Sequence, residues 1–238
     1  MQITHQPETS SPHLRDAPRR AALLSSRAPG PLIELPNFLS PQTFEAISVE
    51  LDSVSDIERS YVPTHKQGGT VAFAALREQA PVTTAFYGSE ALRALVSLRV
   101  GCKVEPTPAH DQSSLSLLIY DRPGDWIGWH YDHNFYRGRH FTLLVPLVNR
   151  GTDLNGQSHS RLSVRLPTQA VRVVDTRANQ AVLFEGARVL HTVSPILAGE
   201  RRVVLSMTFC SDSHASLAQG IARRIKDMAY FGVRALWT

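Results

Sequence analysis

Between Lys103 and Cys210 the chain is a succession of short runs rich in Val, Leu, Ile, Phe and Thr, separated by turn clusters and containing no helical pattern. The breaks are Asp121-Arg-Pro-Gly124, Asn149-Arg-Gly151, Asn155-Gly156, Thr176-Arg-Ala-Asn179 and Leu197-Ala-Gly199. About eight strands fit between them, at 103–106, 113–120, 126–132, 140–148, 161–166, 170–175, 180–185 with 189–194, and 201–210. Short strands at near-regular spacing with no intervening helix predict an antiparallel sandwich or barrel, because sequential antiparallel strands need only tight turns, whereas parallel ones need crossovers.

The flanks read differently. Residues 1–30 carry Pro7, Pro12, Pro18 and Pro29 among Ser, Arg and Ala, and are expected to be a flexible tail; an Arg-rich transit peptide is an alternative that Glu8 and Asp16 disfavour. A short strand follows at Pro31 to Pro36. Ser40-Pro41 then caps a helix whose Phe44, Ile47, Leu51 and Val54 share a face. A second helix runs from Ser89 as cap to Gly101 as stop. From Ser213 to about Val233 the spacing of Leu217, Ile221, Ile225, Met228 and Phe231 predicts a terminal helix with one apolar face. The expected division is thus a tail over 1–30, a β domain over 31–212 and a helix over 213–238 packed on it, either covering a pocket or making a dimer, the protein being a monomer or a homodimer.

Charge bears on the partner. The 238 residues hold 25 Lys and Arg against 21 Asp and Glu, a net +4. The surplus lies in the tail and in the segment after Ser211, so residues 31–210 balance at 17 against 17. A polyanion binder concentrates cations on one face, and a balanced domain lacks them, so no nucleic-acid partner is expected. No run approaches the roughly 18 apolar residues of a membrane helix, so no membrane partner is expected either. Two cysteines, Cys102 and Cys210, make no disulfide framework; a reducing compartment, the cytoplasm, is the default.

The segment that carries chemistry is Gly128-Trp-His-Tyr-Asp132, with Leu190-His-Thr-Val193 on a later strand. Residues two apart in a strand share a face, so His130 and Asp132 point the same way, and His191 is the natural third ligand from a neighbouring strand. Two imidazoles and one carboxylate on one face suit Fe(II) with open positions.

More of the chain agrees. Tyr120 ends Leu115-Ser-Leu-Leu-Ile-Tyr120 ten residues before His130, and Arg201 follows His191 by ten in a Gly-x-Arg sequence. Together with "NFLS" at 37–40, Thr142-Leu-Leu144 and "FEG" at 184–186, the order of elements from about Leu35 to Thr208 resembles the iron(II)- and 2-oxoglutarate-dependent dioxygenases, in their prolyl-4-hydroxylase-like branch, near its small-molecule hydroxylases and halogenases. The resemblance implies a mainly β fold with flanking helices, a double-stranded β-helix or jelly roll. It implies iron on His130, Asp132 and His191, 2-oxoglutarate and dioxygen as cosubstrates, and 2-oxoglutarate held by Arg201 through a two-pronged salt bridge, with Tyr120 and Thr142 beside it. Arg202, of opposite strand parity, is expected at the surface. Relatives that halogenate have a small residue in place of the acid, so the retained Asp132 implies hydroxylation, with release of succinate and carbon dioxide.

Two departures from the family pattern stand out. The turn from Tyr120 to His130 is one residue longer than in some prolyl hydroxylases, and Gly151-Thr-Asp-Leu-Asn-Gly156 stands where a Gly-Gly-Glu-Thr sequence is common. The first bears on where Tyr120 sits; the second, with the small-molecule look of residues 130–139, favours an amino acid or natural-product intermediate over a protein prolyl residue. Trp126, His133, Asn134, Arg137 and Arg139 are the candidates to hold it, and Thr64 to Gly69 has the glycines of a lid. A nucleic-acid demethylase of the same superfamily and a non-catalytic jelly-roll protein holding a metal are the alternatives.

Overall fold

The computed structural model describes residues 32–231. The tail expected over 1–30 lies outside them. The strands run in chain order as β1 (Leu32–Leu35), β2 (Glu58–Val62), β3 (Lys66–Val71), β4 (Glu105–Pro106), β5 (Leu115–Tyr120), β6 (Trp126–His130), β7 (His140–Arg150), β8 (Leu162–Arg165), β9 (Val171–Val174), β10 (Ala181–Glu185), β11 (His191–Val193) and β12 (Arg201–Cys210). The helices are α1 (Pro41–Asp52), α2 (Phe73–Gln79), α3 (Pro81–Tyr87), α4 (Glu90–Val100) and α5 (Leu217–Phe231).

All recorded pairings are antiparallel, in the order β1-β10-β7-β12-β5-β3-β6-β11-β8-β9, with β2 on β3 and β4 on β12. The sheet curls until β6 and β11 face the central strands, giving the double-stranded β-helix with helices on one side. Two cores follow from strand parity. On β12, Val203, Leu205, Met207 and Phe209 meet Phe141, Leu143 and Val145 of β7 and the helices in one cluster, while Val204 joins Leu144, Val182 and Phe184 in a second cluster inside the barrel. Strands buried on both faces read as near-continuous apolar runs, which is why β7 and β12 were the clearest in the sequence.

Both forecast helix starts are present. The Ser40 and Ser89 side chains accept from the backbone N–H groups of Thr43 and Leu92, and Pro41 occupies the first helical position. Gly101 stops α4 in the left-handed conformation, φ 72°, which a glycine adopts without strain.

Two elements differ from expectation. Thr64 to Gly69 is no lid: Thr64 turns the β2–β3 hairpin at φ 61°, and β3 pairs with β2, β5 and β6. Its sequence, Lys-Gln-Gly-Gly-Thr-Val, lacks alternation because its glycines meet close neighbours; a Cβ on Gly69 would come within 3.0 Å of Ile57 and 3.2 Å of Arg59. The apolar stripe forecast on the terminal helix docks through Phe231 but not through Ile221, Ile225 or Met228. Ile221, Ile225 and Met228 are exposed, and α5 packs through Arg223, Lys226, Asp227, Tyr230 and Phe231. That face is polar because it meets polar groups: Arg223 and Lys226 pair with Asp227, Lys226 reaches Asp111 at 3.1 Å, and Tyr136 donates to the other oxygen of Asp111 at 2.8 Å. These contacts hold burial of Asp111 in check and keep its carboxyl well below the usual carboxylate range. No helix among the described residues is long and apolar enough to cross a membrane.

Candidate metal centre and its pocket

His130 ends β6 and His191 opens β11, and the two are direct cross-strand partners. Their rings lie 4.1 Å apart between centroids. Each Nδ1–H donates to a backbone carbonyl two residues back, His130 to Gly128 at 2.7 Å and His191 to Val189 at 2.9 Å. That bond fixes the tautomer and leaves each Nε2 lone pair turned inward. Asp132 Oδ1 is 3.6 Å from both Nε2 atoms, and its Oδ2 accepts from the Thr142 hydroxyl at 2.6 Å. Gly186 makes room for the acid: a Cβ there would stand 2.6 Å from the Asp132 Cβ, and the Asp132 N–H donates to the Gly186 carbonyl.

The charge states suit a cation. Burial, helped by the neighbouring His191, lowers His130 to about 4, so its imidazole is neutral and its lone pair free. Burial works against ionisation of Asp132, but His191, His130 and the Thr142 hydroxyl together hold it below the ordinary carboxylate value. Three ligand atoms lie within 4.8 Å of one another, two imidazole nitrogens and one carboxylate oxygen, with their outer atoms already satisfied. This donor set fits a divalent transition metal on one face, with the other positions open to the cavity.

The cavity has a volume of about 140 Å³. Leu144, Leu162, Val193 and Val204 form its apolar wall. Tyr120 lines it, as expected, and burial raises its phenol above the usual value. Thr142 also lines it, with its hydroxyl engaged by Asp132.

Arg201 is not in this wall. Its side chain is 35% exposed and pairs with Asp52 of α1 at 3.1 Å. The arginine of the cavity is Arg202, 1% exposed, its guanidinium 5.3 Å from the centroid of the Tyr120 ring. Arg202 Nε has no hydrogen-bond partner, and no carboxylate lies within 4 Å of the side chain among the described residues. The expected assignment is therefore exchanged between neighbours. The signal was present in the strand: with Val203, Leu205, Met207 and Phe209 turned to the large apolar core, Arg202 shares its face with Ser206 and Thr208, the polar set that lines the pocket.

Of the remaining candidates, His133 lines the pocket, stacked on Phe135. Trp126 does not; Ile127 and His130 are the β6 residues in the wall. Asn134 is used inside its own loop, donating to the Gly138 carbonyl and accepting from the Tyr136 N–H. Arg137 is exposed, and Arg139 pairs with Glu185 at 2.8 Å outside the pocket. Residues 131–133 of the loop after β6 line the cavity, whereas Arg137 and Arg139 further along it are exposed. Lys66, Lys226, Tyr230 and Phe231 line the cavity instead, from the hairpin and from α5. Nothing local in the sequence marks these four.

A family profile described as HalD, Halogenase D, matches residues 30–230. No curated protein matches the chain by sequence. Among solved structures, a prolyl hydroxylase from Trichoplax adhaerens, in complex with a hypoxia inducible factor peptide fragment, superimposes with a TM-score of 0.59 at 16% identity, covering 76% of this chain and 84% of that one. A Pseudomonas putida prolyl-4-hydroxylase gives 0.56 at 17% identity over 84% and 98%. The non-heme alpha ketoglutarate dependent carbocyclase SnoK from nogalamycin biosynthesis gives 0.63 at 13% over 85% and 92%. The chain shares the fold of these proteins.

Proposed function

The chain belongs to the HalD family, and from that membership and its buried donor set we propose that it is an iron(II)- and 2-oxoglutarate-dependent oxygenase that hydroxylates an unactivated C–H bond of a small molecule, an amino acid or a natural-product intermediate. His130, Asp132 and His191 would hold the iron. Iron bound there would supply, with dioxygen and 2-oxoglutarate, the oxidising power for adding one oxygen atom to the substrate, with succinate and carbon dioxide as the coproducts.

The protein's own groups do the positioning. Carbonyl acceptors behind each imidazole and the Thr142 hydroxyl behind Asp132 hold the three ligands in one orientation. Arg202, in place of Arg201, takes the distal carboxylate of 2-oxoglutarate, because a buried guanidinium without a counter-ion binds a carboxylate fork strongly. Tyr120 lies under that guanidinium and orients it. Apolar side chains and the end of α5 line the rest of the cavity.

The observation that carries hydroxylation over halogenation is Asp132 itself. A halide would need a coordination position that the carboxylate of Asp132, fixed by Thr142 and seated on Gly186, would take instead. Product mass spectrometry on a metabolite panel, with iron(II), 2-oxoglutarate, oxygen and chloride, tests the reading. The expected product is heavier by one oxygen atom. A chlorinated product sinks hydroxylation, and absence of succinate formation in wild type, or its survival in His130→Ala, sinks the oxygenase.

A further inference from the structure

Two buried cations face the cavity without a carboxylate, and the 2-oxoglutarate reading accounts for one of them. The other is Lys66. It is 3% exposed, it lines the cavity from β3, and among the described residues no acidic group lies within 4 Å of its ammonium. Other cations nearby are matched: Lys226 has Asp111 at 3.1 Å and Asp227 at 2.8 Å, and Arg59 has Asp121 and Asp125, each at 2.7 Å. The carboxylate in the cavity wall, Asp132, is committed to the two imidazoles and Thr142.

The partial compensation Lys66 receives comes from α5. Its ammonium stands 4.7 Å over the Tyr230 ring. That ring is held by His65, whose Nε2 meets the Tyr230 hydroxyl, and the Tyr230 carbonyl accepts from the Thr70 hydroxyl at 2.9 Å. A cation over an aromatic face recovers only part of what desolvating an ammonium costs. Burial, with Arg59 and Lys226 close by, accordingly depresses Lys66 to about 7.

We propose that Lys66 binds a carboxylate of the organic substrate, so that the site takes a small carboxylic acid. The inference rests on the oxygenase reading and follows from charge balance. A divalent metal, Asp132, Arg202 and a 2-oxoglutarate dianion sum to zero, so a charged Lys66 leaves the cavity with one positive charge. A bound carboxylate cancels that charge and fixes the proton on Lys66. Both carboxylates of 2-oxoglutarate are already committed, one beside the metal and one to Arg202. Lys66 also sits elsewhere in the sheet: its cross-strand partner is Ile127 of β6, whereas Arg202 is opposite Tyr120 of β5 and Asn149 of β7.

The test uses the full chain loaded with manganese(II), which binds such a donor set without turnover, with and without 2-oxoglutarate. Small mono- and dicarboxylic acids, free and N-acetylated amino acids, and the matching carboxamides are titrated by calorimetry against wild type, Lys66→Met and Lys66→Arg. The expected result is binding of an acid by wild type, at least tenfold weaker binding of its carboxamide, at least tenfold loss of the acid in Lys66→Met with partial rescue in Lys66→Arg, and 2-oxoglutarate affinity within twofold throughout. The unliganded Lys66→Met protein should also melt above wild type. Equal binding of acid and carboxamide, retention of the acid by Lys66→Met, or no acid bound at all overturns the proposal, and loss of 2-oxoglutarate in Lys66→Met transfers the residue to the cosubstrate and overturns it too. Failure of wild type to bind 2-oxoglutarate with metal strikes the oxygenase reading, and the acid titration with metal alone then judges Lys66 by itself.

Discussion

Neighbouring arginines at the start of β12 differ by one step along the strand, and that step puts them in different media. Arg201 meets Asp52 at the surface, where an exposed ion pair contributes about 0–1 kcal/mol. Arg202 is enclosed with an orphaned Nε, a group whose full hydrogen-bonding capacity is available to a ligand. Arg202→Met should weaken 2-oxoglutarate by 100-fold or more, about 2.7 kcal/mol, in calorimetric titration with manganese(II), while Arg201→Met changes it less than twofold; the reverse ranking would return the role to Arg201. Thr142 acts one bond further out. Thr142→Val, which keeps shape and removes the hydroxyl, should lower metal affinity about 10- to 100-fold by freeing Asp132, as read by metal competition. The ligand spacing itself was legible, because His-x-Asp on a strand needs only the two-residue repeat of side chains. The arginine was legible by the same repeat, counted from the apolar residues of β12 rather than from a spacing carried over from relatives.

At the scale of elements, α5 is the segment whose placement matters most. It docks by ions and phenols, and its buried pairings tie it to the turn before β5, where Asp111 accepts from Lys226, Ser113 and Tyr136. Removing one partner of such a buried cluster leaves a charge unpaired, so Asp111→Asn should cost about 3–5 kcal/mol in urea unfolding. A loss below 1 kcal/mol would show the cluster to be solvent-screened. The helix was visible from its periodicity, but of its apolar stripe Ile221, Ile225 and Met228 are turned outward and only Phe231 inward. Amphipathic pattern locates a helix and names its stripe; it does not say which face meets the domain when the domain offers acids and hydroxyls. The β2–β3 hairpin escaped notice for a related reason: its glycines and polar residues are dictated by close neighbours on adjacent strands, which a linear pattern does not record.

For the molecule as a whole, buried charge makes stability depend on pH at both ends. Hydrogen bonds from His159 and from the backbone N–H groups of His159, Leu197 and Thr152 overcome burial and hold Glu200 down to about 2, and Asp111 and Asp132 are likewise depressed. A folded-state value below the unfolded one stabilises above the unfolded value and is lost on acidification, so stability should fall from about pH 4.5 downward. Lys66 acts at the other end. Its folded value of about 7 lies below the unfolded 10.5, so the unfolded chain holds more protons between them and stability rises with pH across that window. Arg59 on β2, Lys226 and Tyr230 on α5 and Tyr120 on β5 surround it, none of them an acid near neutral pH. The stability gap between Lys66→Met and wild type should therefore shrink between pH 6.5 and pH 10 in chemical denaturation; a constant gap would mean that the ammonium is already neutralised.

What the amino-acid order determined by itself was whatever depends on neighbours in the chain. Strand parity, turn chemistry, helix caps and the His130-x-Asp132 pair are local, and they sufficed for the β architecture and the metal face. What the tertiary structure decided was the rest of the cavity. Lys226 meets Asp111 across 115 residues and Tyr230 meets Thr70 across 160. Which arginine is enclosed, that Lys66 is left without a counter-charge, and that α5 closes the site with its polar face all depend on such distant groups being brought within a few ångströms, and burial then sets their charge.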